Sequence, residues 1–391
     1  MDQTCQVLID LLKMSLWGIE LPDYTTLEEP VDWTAVFTEA KHQSVASLTY
    51  PALPDDLPLD LRDKWESYSD KLRVKYHHIL AAQDELLDIL SRNNIRVVIL
   101  KGTAAAVYYP SPSRRSMGDI DILVPQDLYD TAEELLKTNG YTMIHDRTDK
   151  PRHSSFVKNG IDIELHHHFS HFESVDIEKY LIKGLNNIET KTIDGHEFTM
   201  LPELPNGLVL LDHMRNHLIS GLGLRQVIDW MIYVNKVLND DYWNTTFMAV
   251  VKEKEMYKLA ITATKMCIQY LGLPNTITWY NVAEADDSLC TDLINYIFSS
   301  GNFGCKKGDS GRIETITTVM RRRGIFRRLQ FAGEHNWKAY KNHHWLKPFC
   351  WFYQIFRYAR QGLESRRNAA QLKSNMNAAK ERTELLNKLG V

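Results

Sequence analysis

The sequence predicts an α+β protein in which a small strand-and-helix core is set between helical segments. Three observations predict it: two β-branched runs too short to be helices, a two-residue hairpin turn, and helical periodicity on both sides of them. In "SDKLRVKYHHILAAQDELLDILSRNN" the apolar residues Leu72, Tyr76, Ile79, Leu80, Leu86, Leu87 and Leu90 recur at three- and four-residue intervals, the stripe of an amphipathic helix. Asn93-Asn94 ends it, and residues 1–92 show no strand pattern. "IRVVIL" at 95–100 is the first strand, followed by Gly102 and a short "AAAVYY" helix before Pro110. "DIDILV" at 119–124 is the second. Pro125 opens a further helix and Asn139-Gly140 closes it. "SSFVKNGIDIELHHH" reads as a hairpin turning at Asn159-Gly160.

From Pro202 the helical period returns, with helices expected near 206–219, 224–238, 246–271 and 287–299. Gly301, Gly304, Gly308 and Gly311 mark a loop, and the polar final stretch reads as a solvated helix. The expected organisation is a helical segment at 1–92, the core at 93–201, a helical domain at 202–311 and a basic helical region at 312–391.

Composition sets the outer bounds. With 391 residues, 44% hydrophobic and 25% charged, the chain can bury a sizeable core without covalent staples. Its five cysteines are scattered and form no CxxC pair, which fits reduced thiols and excludes a zinc ribbon. The first twenty residues lack a signal peptide's basic start, and no apolar run is long enough for a membrane span, so a cytoplasmic location is expected. Residues 312–391 carry 17 Lys and Arg against 5 Asp and Glu, a net of +12, which leaves −16 for the rest of a chain whose total is −4. Such a basic region suits a polyanion, an anionic surface or an acidic protein, and equally the acidic remainder of its own chain.

The second strand carries the chemistry. Side chains alternate along a strand, so Asp119 and Asp121 share one face, about 7 Å apart at Cα, while Ile120 and Ile122 fill the other. Like charges held that close repel unless a cation lies between them, and the simplest cation is a metal. Asp162, Glu164 and His166 share one face of the later strand and offer a third acid. Gly102-Thr103, at a strand-to-helix turn, suits a phosphate at backbone N–H groups.

These words together, Leu100-Lys101-Gly102, Tyr109-Pro110, Arg115-Ser116-Met117-Gly118-Asp119-Ile120-Asp121-Ile122-Leu123-Val124, Gly140-Tyr141 and Glu164-Leu165-His166, resemble the nucleotidyltransferase superfamily. More closely they resemble its largely uncharacterised bacterial nucleotidyltransferase family. The likeness extends through His213, His217, Arg225 and Asp229 in "DHMRNHLISGLGLRQVIDW", and into "SGNFG" at 300–304 and "HHWLKPFCWFYQIFR" at 343–357. Thr103 stands where the superfamily usually has Gly or Ser, and the spacing from Gly102 to Asp119 is longer than usual.

The resemblance implies a mixed-sheet core and a transfer of a nucleoside monophosphate from a nucleoside triphosphate, such as ATP, to an acceptor, with release of pyrophosphate. It implies Mg²⁺ or Mn²⁺ in a two-metal arrangement on Asp119, Asp121 and Glu164, Glu164 completing the second site or acting as base. Asp162 competes for the third place, and the ELH match favours Glu164. Lys101, Gly102, Thr103, Arg115 and Gly118 would bind the nucleotide, with Lys101 and Arg115 as cations for the triphosphate. His166, His213, His217, Arg225 and Asp229 would face the acceptor or support the site. His213 and His217, four apart, have a spacing zinc can use but no nearby third ligand, and Arg225 and Asp229 equally suit an ion pair within one helix. A small-molecule or protein acceptor is expected ahead of nucleic acid, because the aromatics among the C-terminal cations read as packing residues. A toxin-like or protein- or RNA-modifying enzyme docking its target on the basic region is the alternative. A non-catalytic nucleotide-binding regulator is a third, and the intact acidic set argues against it.

Overall fold

Four helices come first, as the apolar spacing predicts: α1 (Gln3–Trp17), α2 (Trp33–His42), the single turn α3 (Ala46–Thr49) and α4 (Leu59–Arg92). The Asp2 carboxylate caps α1 by accepting from Cys5 N at 2.8 Å, which satisfies one of the free donors of its first turn. The stripe of α4 starts earlier than its sequence suggests, because Leu61 and Trp65 are buried too, and Trp65 Nε1 donates to Ala46 O at 2.8 Å. This computed structural model describes residues 1–146, 152–170, 176–306, 311, 313–314, 316–317, 329–330, 333–334, 336–337, 339–340, 343–364 and 369–391.

Seven strands form one mixed sheet in the order β3-β4-β5-β2-β1-β7-β6. They are β1 (Val98–Leu100), β2 (Ile120–Leu123), β3 (Thr142–His145), β4 (His153–Lys158), β5 (Ile161–His166), β6 (Glu189–Ile193) and β7 (His196–Met200). Three helices lie between strands, α5 (Gly102–Ala106) after β1, α6 (Tyr129–Thr138) after β2 and α7 (Glu178–Leu185) between β5 and β6. Strand β2 is central, antiparallel to β1 and parallel to β5. The β4/β5 hairpin turns at Asn159 and Gly160, both at positive φ (51° and 75°), as an Asn-Gly type I′ turn requires. A second hairpin, β6/β7, turns in the same way at Asp194-Gly195 (48° and 85°) and was not anticipated from the sequence.

Alternation along β2 and β5 divides the sheet. Ile120, Ile122, Ile163 and Leu165 are buried in a core with Tyr76, Ile79, Leu80, Leu86 and Leu90 of α4 and Ala132 and Leu136 of α6. Each large aliphatic side chain removed from water there contributes about 1.5–3 kcal/mol, which pins the register. A one-residue slip would bury the acids instead.

The helical part continues with α8 (Glu203–Ser220), α9 (Leu224–Val237), the short α10 (Asp240–Tyr242), α11 (Met248–Glu253), α12 (Tyr257–Leu271) and α13 (Asp287–Ser300). The single helix expected over 246–271 is two, because Glu255 takes φ 53° and Met256 N–H returns to Val251 O at 2.8 Å, which ends the first ladder.

Residues 1–307 with 389–391 form one compact unit and residues 308–388 another. In the latter, η-type turns lead into α14 (Cys350–Glu364) and α15 (Ala369–Leu389). Trp337 stacks on Tyr353 with ring centroids 4.9 Å apart. The other aromatics do not all pack as expected: Trp345, Phe352 and Phe356 are 71%, 61% and 64% exposed. The arginine cluster at 321–328 lies outside the described residues. Among the described residues no helix is long and apolar enough to cross a membrane.

Candidate active site

The parallel pairing of β2 with β5 sets Asp121 opposite Glu164 in register, and Leu100 at the end of β1 pairs with Asp121 on its other side. Neighbouring strands lie about 4.8 Å apart, so carboxylates on the same face of adjacent strands converge. One oxygen each of Asp119, Asp121 and Glu164 lies within 4.8 Å of the others. Asp121 is buried, while Asp119 and Glu164 keep access to solvent. Asp162 is exposed, two residues further from the cluster along β5, so the third acid in this geometry is Glu164.

Basic side chains surround the three acids. Lys101 Nζ lies 2.7 Å from Asp121 Oδ1, and His166 Nε2 lies 2.9 Å from the same oxygen. Burial opposes the charge on Lys101, but Asp121, Asp119 and Glu164 outweigh it and hold its pKa above the usual value. Burial likewise opposes charge on His166, and its hydrogen bonds to Asp121 and Glu164 reverse the net direction to upward. The charge of Asp121, and then burial, push the Asp119 carboxyl up, against the opposing pull of Lys101. Glu164 moves the other way: burial would raise it, but His153 Nε2 at 3.2 Å and His166 Nε2 at 3.6 Å hold it well below the usual carboxylate range. These acids suit a hard cation. A lysine ammonium already stands among them, and the three carboxylates offer the oxygen donors that Mg²⁺ or Mn²⁺ prefers.

Lys101 reaches Asp121 from an unusual backbone, φ 49° and ψ −137°, and Gly102 follows at φ 35°. A Cβ on Gly102 would stand 3.8 Å from Asp119 O, in open contact, so glycine is needed here for its φ rather than for space. We expect Gly102→Val to lower thermal stability by on the order of 1–3 kcal/mol and to weaken nucleotide binding more than Lys101→Ala does. Melting curves and nucleotide titration check it, and unchanged affinity in Gly102→Val would place the phosphates elsewhere. The Thr103 hydroxyl points away, donating to Gln83 Oε1 at 2.7 Å, so only its backbone is left for a ligand. Gly118 is exposed beside Asp119.

Arg115 is placed differently from its sequence reading. Its Nε and Nη2 bond the two oxygens of Asp229 at 2.7 and 2.6 Å, a bidentate pair with both side chains buried, and Tyr109 Oη donates to the same carboxylate at 2.7 Å. The helix ion pair considered for Arg225 and Asp229 therefore does not form, because Asp229 is already saturated. Arg225 instead donates from Nη1 to Ser116 O at 3.2 Å, and its buried Nε has no partner. Burial and the neighbouring Arg115 lower its pKa, while the charges of Asp229 and Asp119 act upward.

His213 and His217 face each other with Nε2 atoms 3.0 Å apart. Burial, then the charge of Arg225, brings His217 down to about 3, and burial and His217 put His213 well below its usual value. Both rings are neutral at physiological pH, so one N–H donates to the other's lone pair. No third ligand joins them among the described residues.

Sequence reasoning missed His153 and quoted Tyr109 and Phe303 only as parts of the family likeness, without a role. Counting back from the Asn159-Gly160 turn pairs His153 with His166, so that one was within reach.

A family model described as an uncharacterised nucleotidyltransferase matches residues 29–272, more than half of the chain and every residue of the acidic site. The chain belongs to this nucleotidyltransferase family. No curated protein is matched by its sequence. Among solved structures, an antigenic nucleotidyltransferase-like protein from Paracoccidioides brasiliensis is similar at 12% identity and a TM-score of 0.34, covering 55% of this chain and 97% of that one.

Proposed function

We propose that this nucleotidyltransferase moves a nucleoside monophosphate from a nucleoside triphosphate to an acceptor hydroxyl, with pyrophosphate as leaving group. The observation that carries this reading is the register of β2 on β5, which sets Asp121 beside Glu164, with one oxygen of each and of the adjoining Asp119 within 4.8 Å of one another. A divalent ion held there would supply charge for the phosphates and acidify the attacking hydroxyl. The chain's own residues do the placing. Asp119 and Asp121 would hold the ion, and Lys101, paired with Asp121, would add a point charge to the site. Glu164, whose carboxyl His153 and His166 hold below the usual carboxylate range, would serve as a further ligand rather than as the base. Arg225, the cation with a buried and unpartnered Nε, takes the triphosphate role that the sequence suggested for Arg115. The neutral His213–His217 pair accepts or relays hydrogen bonds without adding charge.

Incubation with each labelled nucleoside triphosphate, Mg²⁺ or Mn²⁺ and cell extract tests this. Label is expected on a new product only when the divalent ion is present, and the product's size separates a small acceptor from a macromolecule. Absence of transfer with all four triphosphates would end the reading.

One observation favours a nucleic-acid acceptor: the exposed Trp345, Phe352 and Phe356 belong to the unit whose sequence is strongly basic. Aromatic faces beside cations suit single-stranded nucleic acid. If RNA is gripped there, log affinity falls linearly with log salt, at a slope of about −0.7 per phosphate contact. RNA binding measured from low to physiological salt decides it, and a flat, weak response returns the preference to a small or protein acceptor.

A further inference from the structure

Phe303 is an exposed aromatic held in a conformation that phenylalanine rarely adopts. It sits at φ 54°, ψ 25° inside the turn Asn302–Gly304 and is 56% exposed. Positive φ on a bulky residue costs on the order of a backbone hydrogen bond and persists only where the surroundings impose it. They do so here. Phe303 N–H donates to Gly221 O at 3.1 Å, Asn302 bonds Gln226 and Ser44 at 2.7 Å each, and Ser300 Oγ donates to Leu222 O at 3.1 Å. Gly221 lets the two turns touch: a Cβ there would stand 2.0 Å from Gly304 N. The clamp holds the Phe303 ring against the edge of His217, centroids 4.6 Å apart, with the Arg225 guanidinium 5.9 Å from its centroid. Arg225 in turn bonds Ser116 O, three residues before Asp119. A rigid, solvent-facing ring is thus fixed beside the cation assigned to the triphosphate.

We propose that Phe303 is the stacking platform for the base of the nucleoside triphosphate, an assignment that rests on the function proposed above. An aromatic face stacks on any base, so the platform adds affinity without selecting strongly among bases. The neutral His217 behind it keeps that affinity free of a second charge.

The test uses the full chain with Mg²⁺ and two probes, ATP and inorganic tripolyphosphate, which shares the phosphates but has no base. Phe303→Ala is expected to weaken ATP about tenfold, the order of one lost base–aromatic stack, and to leave tripolyphosphate unchanged. Phe303→Trp is expected to restore ATP binding. Phe303→Gly suits the positive φ, so it keeps the melting temperature while losing ATP affinity as the alanine variant does. Unchanged ATP affinity in Phe303→Ala and Phe303→Gly, or an equal loss for both probes, would overturn the platform and leave the proposed function standing. Wild-type protein that binds neither probe would overturn both.

Discussion

Asp119→Asn and Asp121→Asn are each expected to abolish nucleotidyl transfer, by at least about 10³-fold, because placing charge against the transferring phosphate carries most of such a reaction. The two variants should part company in stability. Asp119 has its carboxyl pushed up by Asp121, so its charge is disfavoured in the fold, and asparagine relieves that repulsion. Asp121 is buried against Lys101 and His166, so asparagine leaves the Lys101 ammonium short of its nearest counter-charge and weakens the bond from His166. In a chelator, melting temperature should rise or hold for Asp119→Asn and fall for Asp121→Asn. Transfer of labelled nucleotide measures the first effect and a thermal melt the second. Retained activity in either variant would remove the carboxylates from the mechanism.

The largest stability loss is expected for Asp229→Ala. It removes the acceptor of both Arg115 bonds and of Tyr109 Oη, in a place where water cannot replace it. Breaking a buried pair from one side costs about 3–5 kcal/mol, since the remaining charge is left desolvated. Arg115→Ala is expected to cost a similar amount, and Arg115→Lys nearly as much, because an ammonium cannot satisfy both oxygens. Denaturant unfolding checks this. Were Arg115 a substrate cation instead, its alanine variant would keep its stability and lose nucleotide affinity alone.

Much of the site can be read along the chain because its information is local. Asp119 and Asp121 share a face through strand alternation, and Asn159-Gly160 dictates the hairpin that brings Glu164 and His166 onto one side of β5. The Asp194-Gly195 hairpin carried the same turn signal, but its first strand, β6, is a polar run at the edge of the sheet, so periodicity did not expose it.

Partner choice was not legible in the same way. Arg115 and Arg225 have the same chemistry, and nothing along the chain says which one Asp229 will neutralise. That was decided by the docking of α9 against the segment that leads into β2, which buries Arg115 with Tyr109 and leaves Arg225 with a single carbonyl. The same holds for Phe303, whose exposure and positive φ come from a clamp to Gly221, Gln226 and Ser44, residues up to 259 positions away. Sequence by itself determined the α+β class and the acid pair, because residue spacing on regular elements sets which side chains share a face, but it left Asp162 and Glu164 as rivals for the third place because they share one face. Only the tertiary structure decided which arginine Asp229 neutralises and which it leaves without a carboxylate, because an ion pair between distant segments depends on where burial removes water.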